Sequence, residues 1–161
     1  MAKKEKEIKT NVMRLLEQAN INYNHYCYAD TDAISGLEVA KAMNQPVERV
    51  FKTLVTASAS KQHYVFVIPV DKELDLKKAA ASVSEKSIEM LKQKDLLPLT
   101  GYVHGGCSPV GMKKLFTTTF HESVNNLDKV IFSAGKIGYQ VEIVPNDLQA
   151  IVPFKTADIV K

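Results

Sequence analysis

Tryptophan is absent from this chain of 161 residues, and cysteine nearly so, with only Cys27 and Cys107. The two stand far apart with no C-x-x-C spacing, which gives neither a disulfide framework nor a thiolate zinc site. The four histidines, His25, His63, His104 and His121, fall singly and match no ligand pattern. No metal and no cofactor are therefore expected. Long apolar runs are missing too: none approaches the roughly 20 residues that span a bilayer, and the opening Met-Ala-Lys-Lys-Glu-Lys-Glu lacks the apolar stretch of a signal peptide. These absences lead to the expectation of a cytoplasmic protein without membrane attachment. Charge is close to balanced, with 21 Lys and Arg against 18 Asp and Glu for a net +3. That is too little to coat nucleic acid by charge alone, yet it permits a polyanionic partner. Repeats, low-complexity tracts and linkers are also lacking. With 45% hydrophobic residues the chain can bury one good core, and 1–161 reads as a single domain.

Ile8, Val12, Leu15, Leu16 and Ala19 fall at helical spacing, so residues 6–19 read as an amphipathic helix ending near Asn20. The lysines Lys3, Lys4, Lys6 and Lys9 around its start suit a solvated terminus or a phosphate contact. Residues 21–28 have the aromatic content and alternation of a strand, with Tyr28 at its end. Ser35-Gly-Leu-Glu38 has the form of a capping box opening a short helix that closes at Asn44 and Pro46. Residues 50–57 and 63–69 are the strongest apolar runs and read as a β-hairpin across Ser58–Gln62. Lys52 interrupts the first run. In extended geometry it shares a face with Leu54, either as a solvated guard of a strand edge or as a cation offered to a ligand. Residues 74–83 read as a helix, 87–91 as a short strand, and 93–97 as a helical turn stopped by Pro98. Residues 115–120, 130–133 and 139–144 read as strands. Pro145 then opens a last helix carrying Asp147 in its first turn, where a carboxylate also suits the helix dipole. Strands and helices intermix without regular βαβ spacing, so the expected fold is α+β: a curved, barrel-like mixed sheet of six or seven strands with helices outside.

Between Leu99 and Leu115 lies the stretch Leu-Thr-Gly-Tyr-Val-His-Gly-Gly-Cys-Ser-Pro-Val-Gly-Met-Lys-Lys-Leu. Gly105, Gly106 and Gly111 allow left-handed backbone and hold no side chain between main chain and ligand. The N–H groups of Gly106, Cys107 and Ser108 are free in sequence terms to converge on an oxygen bearing negative charge. The same glycines would equally serve a tight connection between strands. Cys107 with His104 three residues before it also allows a Cys–His nucleophile to be drawn, although a small apolar thiol lining a turn explains it more simply.

The wording of this loop resembles the signature of the YbaK/EbsC family, free-standing aminoacyl-tRNA deacylases related to the editing domain of bacterial prolyl-tRNA synthetases. The resemblance extends to Phe51-Lys52-Thr-Leu-Val, to Leu76-Lys-Lys-Ala-Ala80, to Val130-Ile-Phe-Ser-Ala-Gly-Lys-Ile-Gly138 and to Val141-Glu-Ile-Val-Pro-Asn-Asp-Leu148. It implies a fold like that editing domain and a hydrolase acting on mischarged tRNA, chiefly Cys-tRNA(Pro). It also implies roles. Lys52 would hold the acceptor-end phosphate, and Gly105 and Gly106 would bring main chain to the ester. Tyr28 would stack or hydrogen-bond near the amino acid or ribose, Cys107 and Ser108 would line the substrate, and Asp147 would accept from the α-ammonium or a sugar hydroxyl. In such proteins the attacking group is the substrate's own thiol, which fits a sequence without an evident Ser-His-Asp grouping. Partners implied are the aminoacylated acceptor end of tRNA and prolyl-tRNA synthetase. Two other readings remain open: a deacylase for another small residue, as in Ala-tRNA(Pro), and a non-catalytic module that binds tRNA or a synthetase.

Overall fold

The computed structural model describes residues 9–161, so Lys3, Lys4, Lys6 and the first residues of the expected 6–19 helix lie outside the described residues. In chain order the elements are α1 (Asn11–Gln18), β1 (Asn24–Cys27), α2 (Gly36–Ala42), β2 (Phe51–Ser58), β3 (His63–Pro69), α3 (Leu76–Ser82) and β4 (Ile88–Met90). There follow α4 (Gln93–Thr100), β5 (Thr117–His121), β6 (Val130–Ser133), β7 (Tyr139–Ile143), α5 (Pro145–Leu148) and β8 (Phe154–Ala157).

Local chemistry sets most boundaries. The Thr10 hydroxyl accepts from the Met13 N–H at 3.2 Å and opens α1, and Asn20, at φ 60°, turns the chain away from it. Ser35 and Glu38 form the expected capping box: the serine hydroxyl accepts from the Glu38 N–H, and the Glu38 carboxylate accepts from the Ser35 N–H, both at 3.1 Å. Asp75 opens α3 by accepting from the N–H groups of Lys77 and Lys78.

The expected single curved sheet is instead two sheets, and no barrel closes. Strands β1, β7 and β6 form an antiparallel sheet in that order; β4, β2, β3, β5 and β8 form a mixed one. The reason lies at one point. The two sheets touch through an isolated parallel bridge between Val50 and Ile131, after which β2 and β6 separate. Phe51, Val55, Val65, Val67 and Phe120 of the larger sheet face Val130, Phe132, Val141 and Ile143 of the smaller one across the main core. The outer face of the larger sheet carries a second core, in which Phe66 and Ile68 pack on α3 through Ala79 and Ala80.

Three further expectations are corrected. β8 was not anticipated; it is short and pairs in parallel with β5, a partner far away in sequence. Pro98 does not stop its helix: α4 continues to Thr100, where the Thr100 hydroxyl donates to the Leu96 carbonyl at 2.8 Å and Gly101 (φ 89°) closes the end. And the strand expected over 21–28 is confined to Asn24–Cys27, the outer strand of its sheet, where Asn24, His25 and Cys27 are all exposed.

Candidate active site

Where the sheets part there is a cavity of about 550 Å³, within the range of small-molecule sites. Topology makes the space. β4 pairs with β2 only from Thr56 onward, so the earlier part of β2 has an edge without a neighbouring strand, and residues 51–55 form one wall. The start of α2, the segment from Met90 to Leu96, the glycine-rich loop, and the ends of β1, β6 and β7 complete the enclosure.

Lys52 enters this cavity from β2, opposite Ile68 of β3. It is half-buried, and among the described residues it makes no hydrogen bond or ion pair. A cation held in a partly desolvated wall without a counter-charge is available to an anionic ligand. Tyr28, buried at the end of β1, lies on the same cavity, as do Gly105 and Cys107.

The glycine loop has a definite conformation. The Gly106 N–H donates to the Val103 carbonyl at 2.9 Å, closing a turn whose third residue is Gly105 at φ 91°. That position favours glycine, and with no side chain there the main chain stays open to the cavity. A Cβ at Gly106 would lie 3.2 Å from the Ile137 backbone nitrogen, so the loop rests tightly on the turn between β6 and β7. On its far side the Tyr102 hydroxyl donates to the Val110 carbonyl at 2.5 Å.

Four of the sequence-predicted site residues, Tyr28, Lys52, Gly105 and Cys107, are thus brought together, and three are not. Gly106 is off the cavity wall and its N–H is spent on the turn, so it is not free to meet an oxyanion. Ser108 is fully buried behind the wall, and its hydroxyl accepts from the Val110 N–H at 3.2 Å. Asp147 follows β7, whose first residues touch the cavity at Gln140. The strand then carries the chain away by about 3.4 Å per residue, roughly 14 Å by Val144, and Asp147 does not line the space.

Burial holds the Cys107 thiol protonated, pushing its pKa up to about 12. His104 also lines the cavity but makes no hydrogen bond to Cys107, and the buried thiol presents a small apolar wall there. The Tyr102 hydroxyl is likewise raised to about 12, by burial first and by the neighbouring Cys107 second.

Sequence reasoning missed Gln140, Ser133 and Thr53, which also line the cavity. Gln140 is only 4% exposed. A glutamine within an apolar alternating strand was the available signal, since a buried amide needs a partner.

Residues 31–151 match the aminoacyl-tRNA editing domain family, a span that holds every cavity wall except Tyr28, and the chain belongs to that family. Membership supports hydrolytic deacylation of aminoacyl-tRNA as its activity. Over 160 residues the chain is 43% identical to an Enterococcus faecalis protein provisionally named Cys-tRNA(Pro)/Cys-tRNA(Cys) deacylase EbsC, covering 99% of this chain and 98% of that one. The crystal structure of a protein provisionally described as a trans-editing enzyme for prolyl-tRNA synthetase is similar with a TM-score of 0.81 at 22% identity, over 96% of this chain and 99% of the other. That of a hypothetical protein reaches 0.84 at 19% identity, over 93% and 99%. At these identities the two structures establish the fold. No helix among the described residues is long and apolar enough to cross a membrane.

Proposed function

We propose that the chain, working as one domain over 1–161 in the cytoplasm, deacylates mischarged tRNA in trans, with Cys-tRNA(Pro) as its principal substrate. The observation that carries this reading is the placement of a partnerless ammonium, Lys52, on the same cavity as the side-chain-free turn at Gly105. An aminoacyl-tRNA end needs both features: a cation for acceptor-end phosphate, and main chain able to approach the ester. Tyr28 offers a ring edge and a hydroxyl to the ribose or amino acid. Cys107 limits the amino-acid end as a small apolar wall, and Gly106 contributes by closing the turn.

The ester is already activated by its ribose, so orientation and charge stabilisation supply most of what hydrolysis requires. In the proposed step the substrate sulfur attacks its own carbonyl carbon. A carbon–sulfur bond forms, the bond to the ribose oxygen breaks, and the thiol proton passes to that oxygen. The products are a thiolactone, which water opens to cysteine, and free tRNA. The protonated state of Cys107 supports this route over a protein thiolate. With a net charge of only +3 the protein has little with which to choose one tRNA, so prolyl-tRNA synthetase is the proposed partner in selection.

A time course with charged tRNA in large excess over protein tests the reading. Continued release of cysteine beyond one equivalent supports it, while protection of the ester without turnover would assign the chain to binding alone.

A further inference from the structure

The cavity wall carries one ammonium, that of Lys52, and no carboxylate. Among the described residues, its ionisable walls are Tyr28, Lys52, His104 and Cys107, and neither aspartate nor glutamate lines it. Neighbouring carboxylates are committed or outside. Glu38 accepts from the N–H groups of Ile34 and Ser35, and Glu142 accepts from Asn24 Nδ2 at 2.9 Å and the Tyr26 hydroxyl at 2.7 Å. Asp30 and Asp32 are exposed on the loop after Tyr28, as are Glu89 on β4 and Asp95 on α4. A protonated α-amine entering here meets Lys52 and finds no counter-charge; an uncharged amine meets no such repulsion.

Gln140 offers what an uncharged amine can use. It is buried on the cavity wall, and its carboxamide faces that of Gln45: Gln45 Nε2 donates to Gln140 Oε1 at 2.8 Å, and Gln140 Nε2 donates weakly back at 3.4 Å. One acceptor site on Oε1 and one N–H on Nε2 are left over. A neutral –NH₂ has hydrogens for the first and a lone pair for the second, whereas an ammonium has no lone pair. Building on the deacylase reading, we infer that Gln140, oriented by Gln45, receives the α-nitrogen of the aminoacyl group in its uncharged form. The site thereby selects neutral-amine aminoacyl esters, and their α-hydroxy counterparts, over the ammonium form.

Two non-hydrolysable probes test this: the alanyl and the lactyl amides of 3′-amino-3′-deoxyadenosine, nearly equal in size and differing in α-NH₂ against α-OH. Their binding to the full chain is measured by calorimetry at about pH 6 and about pH 9, on either side of an α-amine pKa of about 8. The lactyl probe reports any effect of pH on the protein itself. Relative to it, the alanyl probe is expected to weaken at the lower pH in proportion to its neutral fraction, on the order of a hundredfold. Gln140→Glu supplies a carboxylate and should abolish or invert that loss, and Gln45→Leu should weaken alanyl binding at the higher pH. Equal or tighter relative alanyl binding at the lower pH in the wild-type chain overturns the inference, whether or not the variants fold, while leaving the deacylase reading intact. Failure of both probes to bind at either pH, together with absence of turnover, defeats both.

Discussion

Replacing Lys52 with methionine removes the ammonium while keeping most of the aliphatic stem, which lies on the same face of β2 as Leu54. In the free protein this nitrogen has no partner among the described residues, so folding loses no hydrogen bond or ion pair when it goes. Unfolding free energy should stay within about 0.5 kcal/mol of wild type or rise slightly, since a half-buried lone cation is relieved. Catalysis should respond very differently. A hydrogen bond to a charged group contributes about 1.5–3 kcal/mol, and each 1.4 kcal/mol is about tenfold, so kcat/KM should fall about 10- to 150-fold. Lys52→Arg keeps the charge on a wider, planar head and should recover part of the loss. The assay pairs cysteine release from Cys-tRNA(Pro) with urea unfolding of the same preparations. Activity within twofold of wild type would refute the assignment of Lys52 to the substrate. A stability loss above about 2 kcal/mol would show instead that the residue has a structural task.

Further expectations concern the frame around the site. Gly111→Ala combines a φ of 82° with a Cβ placed 2.7 Å from the Tyr102 hydroxyl; urea midpoints should report a loss of about 2–4 kcal/mol, from left-handed strain and the strained Tyr102–Val110 bond together. Thr119 carries a buried hydroxyl without a partner among the described residues, so Thr119→Val should stabilise by about 1 kcal/mol or leave stability unchanged. Cys107 keeps its proton in the fold up to about 12, against an ordinary value of 9.0. Above pH 9 the unfolded chain ionises while the folded one does not, so stability present below that pH should decline between 9 and 12. Thermal unfolding across that range checks this, and Cys107→Ala should flatten part of the decline.

The legible parts of this protein were those governed by neighbours in sequence. The Ser35–Glu38 capping box, Asn20 ending α1 and the β2–β3 hairpin each depend on a few adjacent residues, and each formed as expected. Lys52 could be singled out because a charge interrupts an apolar strand. The division into two sheets was not legible, because it depends on Val50 and Ile131 forming one bridge and no more. The same limit hid β8, whose partner β5 lies far back in the chain. For the site, types were easier to read than neighbours. Asp147 has suitable chemistry for an ammonium, yet the direction of β7 carries it off, and Gln140 at the other end of the same strand occupies the wall. Gly106 illustrates a related point: glycine spacing marked the turn, but which N–H closes it and which remains open is decided only by backbone geometry.

Comparison of Cys-tRNA(Pro) with Ala-tRNA(Pro), the same tRNA whose ester lacks only the sulfur, tests the central claim most directly. With each in excess over the purified chain, the account predicts many turnovers of the cysteinyl ester, an intermediate thiolactone, and a rate for the alanyl ester close to its spontaneous hydrolysis. Equal enzymatic rates for the two would contradict it, because the attacking group could not then be the substrate's thiol.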